Sequence, residues 1–302
     1  MEQHQNLTAR LQAAGIAYRE QEPLAAHTTF KIGGPAAVFV QPADEAQLCQ
    51  AVRLCRELGV PCYLLGNGSN ILFGDKGYAG AVVSLAGMKG EVRREGDTLT
   101  APAGMQLSVL CTAALRAGLT GLEFAYGIPG TVGGAVYMNA GAYGGEMKDV
   151  LASVRYLTAG GDIVEAPAAA LDLGYRHSVF ESNGGCILSA SVRLAPGDAG
   201  AIAARMNDLM GRRRDKQPLD KPSAGSTFKR PVGAFAGALI EQCGLRGYRH
   251  GGAAISEKHC GFVVNLGGAT CADVLALCSE VQQIVKEQTG FVLEKEIRVV
   301  EL

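Results

Sequence analysis

Apolar residues recur along this chain at two spacings, which predict a mixture of helices and strands. A spacing of three or four residues marks the buried face of a helix, because one helical turn takes about 3.6 residues. It predicts helices at residues 7–14, 44–59, 108–118, 200–215 and 236–243, and a last helix that begins at Thr270 or Asp273. Asp44 and Ser108 are expected to be the N-caps of the second and third helices.

Alternating or continuous runs of apolar residues predict the strands. These runs lie at residues 36–40, 60–65, 71–73, 151–158, 163–165, 187–194, 262–265 and 292–300, and residues 81–102 indicate several short strands. In the last strand, Glu294, Glu296 and Arg298 are expected to face away from Leu293 and Ile297. The small residues at 223–231 predict a loop, and the prolines of segment 217–222 make it the best candidate for a domain boundary.

One stretch contains far more glycine than a turn requires. Residues 127–145, GIPGTVGGAVYMNAGAYGG, include seven glycines among nineteen residues. Glycine lets a backbone approach a neighbouring group where a Cβ would clash, so this density predicts that something large lies against the main chain. A pair of glycine-rich turns is the simpler alternative. A disordered linker does not fit the apolar residues Ile128, Val132 and Val136.

The segment GNGSN, residues 66–70, follows a predicted buried strand. Successive small residues after a strand can expose backbone N–H groups that bind an anion, so this segment is a candidate phosphate contact. It is not a Rossmann fingerprint, which needs a helix immediately afterwards, and it is not a Walker sequence, which ends in GK[ST]. A tight turn between two strands explains the short segment equally well.

Composition and charge narrow the class of partner. With 302 residues, of which 48% are hydrophobic, the chain can bury a sizeable core in two domains or in one elaborated domain. A formal charge of −1 gives no field to attract nucleic acid or an anionic membrane, so a small molecule is the expected partner. The sequence has no recognisable signal peptide or membrane span, and a cytoplasmic location is expected.

The nine cysteines are expected to be reduced core residues. They form no CxxC pair and lie mostly inside apolar patterns, so neither disulfides nor a metal site is predicted.

A run of cationic residues, 212–216, closes the predicted helix 200–215. Positive charge at a helix C-terminus complements the helix dipole. The run is therefore interpreted as a solvated helix end with no role in nucleic-acid binding.

Several long motifs in order give the chain a specific resemblance to a known family. They run from Thr28 to Arg298 and are TTFKIGG, GNGSNILF, GLEFAYGIPGTVGGAVYMNAGAYGGE, GYRHSVF, QPLDKPSAGSTFKRP, GGAAISEKHCGFVVN and LEKEIRV. With them the chain resembles the UDP-N-acetylenolpyruvoylglucosamine reductases, or UDP-N-acetylmuramate dehydrogenases. It is most similar to the shorter subclass, which lacks an extra loop over the substrate.

The resemblance implies an α+β fold, with a two-subdomain FAD-binding module of the vanillyl-alcohol-oxidase (PCMH) type and a C-terminal α/β substrate-binding domain. The implied divisions are an N-terminal helical segment at 1–27, the FAD module at 28–197 with subdomains of about 28–90 and 91–197, a connecting helix and linker at 198–220, and the substrate domain at 221–302. FAD is expected to be bound non-covalently, with NADPH as co-substrate.

The two glycine-rich segments hold the implied FAD contacts. They are Gly66, Asn67, Gly68, Ser69, Asn70, Gly127, Ile128, Pro129, Gly130, Thr131, Gly133, Gly134, Asn139, Ala140 and Gly141. The steric argument from glycine content agrees with this role.

Arg176, Ser226 and Glu296 match the family's catalytic positions. The implied reaction reduces the enolpyruvyl ether of UDP-N-acetylglucosamine to UDP-N-acetylmuramate, a step of peptidoglycan precursor synthesis. Arg176 would stabilise the developing negative charge, Ser226 would donate the proton, and Glu296 would help to hold the substrate carboxylate. By residue type alone, a surface salt bridge, a turn hydroxyl and a solvent-facing acid are the ordinary interpretations.

Contacts with the substrate are less well defined by the resemblance. Tyr175, Lys229 and Arg230 are expected to contact its diphosphate or sugar, since Arg and Lys suit phosphate oxygens. Arg230 departs from many family members, which have Asn or another residue there. His177 and His259 are expected to be structural. We also expect a monomer without a metal ion.

Two other functions remain open at this point. A related oxidase of sugars or alcohols would often carry FAD covalently on histidine or cysteine, but no histidine lies near residues 66–70 or within 127–145. A nucleotide-sugar sensor that keeps the scaffold without turnover would not need Arg176, Ser226 and Glu296.

Overall fold

A computed structural model of the protein describes residues 2–88 and 90–301, which include seven α-helices. They are α1 Glu2–Ala13, α2 Glu45–Glu57, α3 Leu107–Arg116, α4 Val132–Tyr137, α5 Ala199–Lys216, α6 Ala236–Gln242 and α7 Cys271–Thr289. The predicted helices are confirmed, although α1 begins at Glu2 and not near residue 7. Helix α4, inside the glycine-rich stretch, was not predicted, because its six residues VGGAVY are too few to show a helical apolar period.

The β-strands are short, and most of them match predicted runs. They are β1 Ala17–Pro23, β2 Pro35–Gln41, β3 Cys62–Leu65, β4 Ile71–Phe73, β5 Tyr78–Ser84, β6 Arg93–Glu95, β7 Thr98–Pro102, β8 Leu119–Thr120, β9 Gly141–Ala142, β10 Gly145–Glu146, β11 Leu151–Leu157, β12 Ile163–Pro167, β13 Cys186–Arg193, β14 Ala195–Pro196, β15 Ser223–Ser226, β16 Arg249–His250, β17 Ala253–Ile255, β18 Phe262–Asn265 and β19 Arg298–Val300.

The caps expected of α2 and α7 are confirmed, and the one expected of α3 is wrong. The Asp44 carboxylate accepts from the main-chain N–H of Gln47 at 2.9 Å, as expected of the N-cap of α2. Thr270 caps α7 and forms a capping box with Asp273. The cap predicted for α3 is wrong, because the helix begins one residue before Ser108.

One predicted loop and one predicted strand differ from the structure. Residues 223–226 form strand β15 instead of a loop, because β18 supplies an antiparallel partner that does not depend on an apolar period. The predicted strand 292–300 is reduced to β19, and its first part forms only a bridge between Phe228 and Lys295. The alternation is confirmed only in part: Leu293 and Ile297 are buried and Glu294 is exposed, whereas Glu296 and Arg298 are half-buried.

The contacts within the chain define two units, each assembled from several segments. The first contains the chain up to Arg19, Val38–Asn67 and Ala81–Arg213, and the second contains Glu20–Ala37, Gly68–Gly80 and the chain from Arg214 onward. This division differs from the contiguous domains expected from the sequence. Residues 68–80 group with the C-terminal part because β4 pairs in parallel with β19, and the last division falls within α5 rather than after it.

The first unit is built on an antiparallel sheet with the order β12-β11-β13-β7-β6. Helix α4 packs against β13 and β7, and its residues Val132 and Val136 join the core of this unit. Strand β3 pairs in parallel with β5, with Leu65 opposite Ser84. The GNGSN segment therefore begins directly after a paired strand end.

The second unit is built on a sheet with the order β15-β18-β17-β16, against which α7 packs. Val274, Leu277 and Val281 on α7 are buried in its core together with Phe30 and Leu72 from earlier in the chain. Asp75 accepts hydrogen bonds from the first two amides of α7 at 2.7 and 3.0 Å, which holds the segment 68–80 to this helix.

Seven of the nine cysteines are buried, which agrees with their predicted place in the core. Among the described residues, none of the helices combines the length and the apolar character needed to cross a bilayer.

Candidate active site

The start of the GNGSN segment lies against the glycine-rich stretch in the first unit. A Cβ added at Gly66 would lie 2.6 Å from the Thr131 hydroxyl, so only glycine fits there. The Gln106 side chain donates to the Asn67 amide oxygen at 3.2 Å, and Gln106 also forms a β-bridge with Thr131. The two segments predicted to meet a common ligand are thus neighbours.

Several glycines of the stretch 127–145 are required by protein neighbours rather than by a ligand. A Cβ at Gly133 would lie 2.8 Å from the Ala103 Cβ, and one at Gly145 would lie 2.7 Å from the Phe124 ring. The amides of Val132 and Gly133 donate to main-chain oxygens at 2.8 Å, so they are not available for a phosphate. The predicted close approach is real, but at these positions the approaching group is the protein itself.

Burial divides the predicted FAD contacts into two groups. The accessible or half-buried residues are Gly66, Asn67, Ser69, Asn70, Gly127, Ile128, Pro129, Gly130, Gly134, Ala140 and Gly141. The buried ones are Gly68, Thr131, Gly133 and Asn139. Thr131 accepts from the Gly134 amide at 3.2 Å as the N-cap of α4. Thr131 and Asn139 are also engaged by protein neighbours, and the FAD contact expected of these two residues stays a prediction.

Asn139 connects the glycine-rich stretch to the loop that carries Arg176. Its amide nitrogen donates to the Glu146 carboxylate at 2.8 Å and to the Gly174 carbonyl at 2.9 Å. Its amide oxygen accepts from the Lys148 amide at 2.8 Å. The residue is completely buried and has a φ of +39°, a conformation that Asn tolerates better than most residues. Its side chain therefore holds the Arg176 loop in place.

Arg176 has a backbone conformation that is unusual for its residue type. Its φ is +54°, in the left-handed region that non-glycine residues seldom occupy. The guanidinium donates to the Gly141 carbonyl at 3.3 Å and lies 5.1 Å from the centre of the Tyr175 ring. Strain of this kind concentrates at functional sites, where the surrounding structure enforces it.

His177 and Ser178 hold the loop from the other side of Arg176. The Ser178 hydroxyl is buried and donates to the Tyr137 carbonyl at 2.7 Å. The His177 ring lies 2.8 Å from Glu181 and 3.1 Å from Asp172, and these carboxylates, Glu181 first, raise the pKa of His177. The structural role expected for His177 agrees with these contacts.

In the second unit, Ser226 and Glu296 lie on neighbouring segments. The Glu296 amide donates to the carbonyl of Thr227, the residue after Ser226, at 2.8 Å. Thr227 is buried, and its hydroxyl accepts from the Val263 amide at 2.8 Å, which anchors the end of β15. Ser226 itself is exposed. An accessible hydroxyl thus lies next to a segment that carries a carboxylate.

The end of the GNGSN segment joins the same group in the second unit. The Asn70 side chain donates to the main-chain carbonyl of Glu296 at 3.2 Å. The main-chain carbonyl of Asn70 accepts from the main-chain N–H of Arg298 at 3.0 Å. Gly68 has a φ of +62°, and a Cβ there would collide with the His27 carbonyl. These bonds place Asn70 beside the backbone of Glu296.

The other predicted substrate contacts of the second unit border this group. The Lys229 amide donates to the Glu294 carbonyl at 2.8 Å, and its ammonium lies 3.5 Å from the Glu294 carboxylate. The Arg230 guanidinium lies 4.4 Å from the centre of the Phe235 ring, an arrangement typical of a cation–π contact. His259 is half-buried, and its ring accepts from the Gly261 amide at 3.1 Å, as expected of a structural residue.

The cationic run 212–216 is only partly a solvated helix end. Arg212 is exposed and pairs with Asp208 at 3.0 Å, but Arg213 is half-buried and its enclosed Nε has no hydrogen-bond partner in the described part of the chain. The interpretation of the whole run as solvated is therefore wrong for Arg213. The missed signal was its spacing, because Arg213 continues the buried series Ile202, Met206 and Leu209 on α5.

Comparison with known proteins identifies the family. The chain matches the family model of an FAD binding domain over residues 36–167 and that of the UDP-N-acetylenolpyruvoylglucosamine reductase C-terminal domain over residues 217–300. A UDP-N-acetylenolpyruvoylglucosamine reductase of Clostridium perfringens is 46% identical over 291 residues, or 95% of each chain. The chain belongs to this family. A second reductase, from Lachnoclostridium phytofermentans, is 47% identical over 92% of this chain and 91% of its own.

A solved structure supports the same assignment at the level of the fold. The UDP-N-acetylenolpyruvylglucosamine reductase from Thermus caldophilus superposes with a TM-score of 0.80 at 35% identity, covering 95% of this chain and 99% of that chain. The predicted fold class, an α+β chain with an FAD-binding module and a C-terminal domain, is confirmed. As a member of this reductase family, the chain is an FAD-dependent oxidoreductase.

The first unit offers groups that fit the FAD of this reductase family. The region matched by the FAD-binding model contains Gly66, Asn67 and Gly130, which are half-buried and lie next to the buried Thr131. Next to Gly127 lies the enclosed Arg213 Nε, which lacks a hydrogen-bond acceptor. An anionic cofactor would supply what this side chain lacks.

Proposed function

We propose that this protein catalyses the NADPH-dependent reduction of the enolpyruvyl ether of UDP-N-acetylglucosamine to UDP-N-acetylmuramate, in peptidoglycan precursor synthesis. The relatives named for this reduction cover nearly the whole chain at 46% identity. Within the molecule, the proposal rests chiefly on the 2.8 Å hydrogen bond from the Glu296 amide to Thr227, which keeps Glu296 beside Ser226.

FAD, when bound, supplies a hydride to the terminal carbon of the enolpyruvyl group, and NADPH restores that hydride. FAD would be held by the accessible main chain of Gly66, Asn67, Gly127 and Gly130. No covalent attachment is proposed, so acid precipitation of the protein should release the flavin into the supernatant.

Arg176 stabilises the negative charge that develops beside the substrate carboxylate during hydride transfer. A preorganised cation is effective here because its orientation is set before the reaction, and its loss typically reduces the rate by about 10²- to 10³-fold. The hydrogen bonds of Asn139 and Ser178 to the loop provide that preorganisation in this chain.

Ser226 donates its hydroxyl proton to the carbon next to the carboxylate, and the solvent restores that proton afterwards. A hydroxyl is sufficient because the acceptor is strongly basic, so no lowered pKa is required. Glu296 helps to hold the substrate carboxylate through a shared proton or through a bridging water or cation. Tyr175, Lys229 and Arg230 contact the diphosphate or the sugar.

The decisive experiment separates the two half-reactions. NADPH should bleach the visible flavin absorbance of the purified protein, and the enolpyruvyl ether should restore it. Ser226→Ala should leave bleaching by NADPH intact and abolish restoration by the substrate, because only the second step needs the proton. Equal loss of both half-reactions would remove Ser226 from the donor role.

Ser223 offers a matched control in the same strand. Its main-chain carbonyl accepts from the Thr29 hydroxyl at 2.7 Å and its backbone pairs with Val264, and Ser223→Ala keeps both contacts. This variant should retain both half-reactions.

If the wild-type protein binds the substrate but consumes no NADPH, a nucleotide-sugar sensor replaces the enzyme. The proposed cytoplasmic location and monomeric state are tested by cell fractionation and gel filtration.

A further inference from the structure

Arg213 occupies a position on α5 where the helix pattern calls for an apolar residue. Ile202, Met206 and Leu209 are buried at steps of four and three residues, and a further step of four reaches Arg213. The neighbouring Arg212 points to solvent and pairs with Asp208 at 3.0 Å. The two adjacent arginines therefore have opposite environments.

The half-buried side chain of Arg213 has an enclosed Nε that lacks an acceptor. Its Nε has no hydrogen-bond partner among residues 2–88 and 90–301. Burial lowers the pKa of Arg213 below its ordinary value, and the Tyr143 phenol acts in the opposite direction. An enclosed cation is costly unless an acceptor compensates its lost hydration. In the family to which this chain belongs, the bound cofactor can provide that acceptor.

The Arg213 side chain lies against the first residue of the glycine-rich stretch. A Cβ at Gly127 would lie 3.1 Å from the Arg213 Cδ and 3.9 Å from its Nη1. The absence of a side chain at Gly127 thus lets the guanidinium reach the segment that the sequence assigns to FAD. The FAD-binding family model ends at residue 167 and does not include Arg213.

We propose that Arg213 binds the diphosphate of FAD. The diphosphate is the part of oxidised FAD that carries full negative charge, and a full charge is what best compensates an enclosed cation. A guanidinium presents its N–H groups in a planar fork that matches phosphate oxygens. This role depends on FAD and not on the enolpyruvyl substrate, so it can fail while the proposed reaction stands, and the reverse also holds.

FAD titration of the apoprotein tests the contact directly. Arg213→Gln should weaken FAD binding by about 10- to 100-fold, the effect of losing a charged hydrogen bond. Arg213→Lys should weaken it less, because it keeps the charge but not the fork. Arg212→Gln is the matched control and should change the affinity by less than about twofold, as expected at an exposed ion pair. Unchanged FAD affinity in Arg213→Gln would overturn the proposal.

The thermal stability of the apoprotein distinguishes a binding role from a structural one. If Arg213 is held for the cofactor, apo Arg213→Gln should unfold at the same temperature as the wild-type apoprotein or at a higher one, because an uncompensated cation has been removed. A merely structural arginine predicts a lower unfolding temperature. A lower unfolding temperature, together with a loss of FAD binding that only matches the loss of folded protein, would also overturn the proposal.

Flavin analogues identify the part of FAD that Arg213 contacts. Riboflavin lacks phosphate, so Arg213→Gln should bind it as the wild-type protein does. The midpoint potential of the bound FAD should also stay unchanged, because a diphosphate contact acts equally on the oxidised and reduced forms. A loss of riboflavin affinity equal to the loss of FAD affinity, or a shifted potential, would place Arg213 at the flavin ring and overturn the assignment to the diphosphate.

Discussion

Arg176 combines a strained backbone with the side chain on which charge stabilisation is proposed to depend. Its φ of +54° is unfavourable for any residue with a Cβ. The hydrogen bonds of Asn139 to Gly174 and of Ser178 to Tyr137 hold the loop in this conformation. The left-handed backbone of Arg176 therefore costs some stability, and the same conformation orients its guanidinium.

Substitutions at Arg176 separate the strain from the chemistry. Arg176→Gly should be more stable than Arg176→Ala by about 1 kcal/mol, because glycine tolerates a positive φ. Both variants should restore the flavin absorbance with substrate at least about 10²-fold more slowly than the wild-type protein. Urea unfolding and stopped-flow absorbance measure the two effects. Equal stability of the two variants would show that the backbone is not strained.

The pH dependence of unfolding tests the contacts of His177. Glu181 and, to a smaller extent, Asp172 raise the pKa of His177 in the folded protein. Its stabilisation is therefore complete below the ordinary histidine pKa of about 6.5 and is lost as the pH rises through the raised value. The stability difference between wild-type protein and His177→Gln, measured by urea unfolding, should shrink as the pH rises.

His259 provides a control of opposite sign. Burial lowers the pKa of His259, so its neutral form is favoured in the folded protein. The contribution of His259 should be present above pH of about 6.5 and be lost as the pH falls through the lowered folded pKa. His177→Gln and His259→Gln should thus change the pH profile in opposite directions. Profiles of the same slope would contradict the assigned contacts.

Local elements were predicted well because their signals lie within a few residues. The cap Asp44 and the capping box of Thr270 need only neighbours along the chain. Strand β15 was missed because its partner β18 lies far along the chain and its residues SAGS have no apolar period. Arg213 was missed because a charge at the end of a helix looks solvated when its run is considered without the helix face.

The sequence indicates candidate residues for the site but not the contacts that support them. The motif resemblance assigns catalytic roles to Arg176, Ser226 and Glu296, which stay predictions, and the glycine argument indicated two segments that the structure shows to be neighbours. The glycine argument could not distinguish a glycine required by Ala103, as at Gly133, from one that leaves room for a ligand. The bonds that Asn139 makes to Gly174 and Glu146 also join residues whose proximity no local pattern shows.

A double-mutant cycle tests the contact between the two glycine-rich segments. Gly66→Ala should cost about 1–3 kcal/mol by overpacking against the Thr131 hydroxyl. Thr131→Ala removes both that hydroxyl and the α4 cap, at about 1 kcal/mol. In the double variant, the added cost of Gly66→Ala should fall by about 1 kcal/mol, because the clash is gone. Urea unfolding measures all four proteins.

Gly144 supplies the control for this cycle. It has a φ of +89° and no atom within 4 Å of an added Cβ, so Gly144→Ala is strained by its backbone alone. Its cost should add to that of Thr131→Ala without coupling. Full additivity of Gly66→Ala with Thr131→Ala would mean that the two segments do not meet through this hydroxyl.

At the scale of the whole molecule, the chain passes between the two units five times. The region matched by the C-terminal family model, residues 217–300, is therefore not a complete unit. It lacks β4, which pairs with β19, and the core residues Phe30, Ile32 and Leu72. A fragment of residues 214–302 should not fold alone. Circular dichroism with urea titration checks this, and a cooperative transition of the fragment would contradict it.

Asn139 restricts which substitutions the chain can accept at this position. Asp differs from Asn by one atom of the side chain and can arise by a single base change or by deamidation. At position 139 it would replace the donating nitrogen with an oxygen, which would face the Glu146 carboxylate and the Gly174 carbonyl at the distances of the present hydrogen bonds, 2.8 and 2.9 Å. The smallest chemical change available to this residue would thus release the loop that carries Arg176.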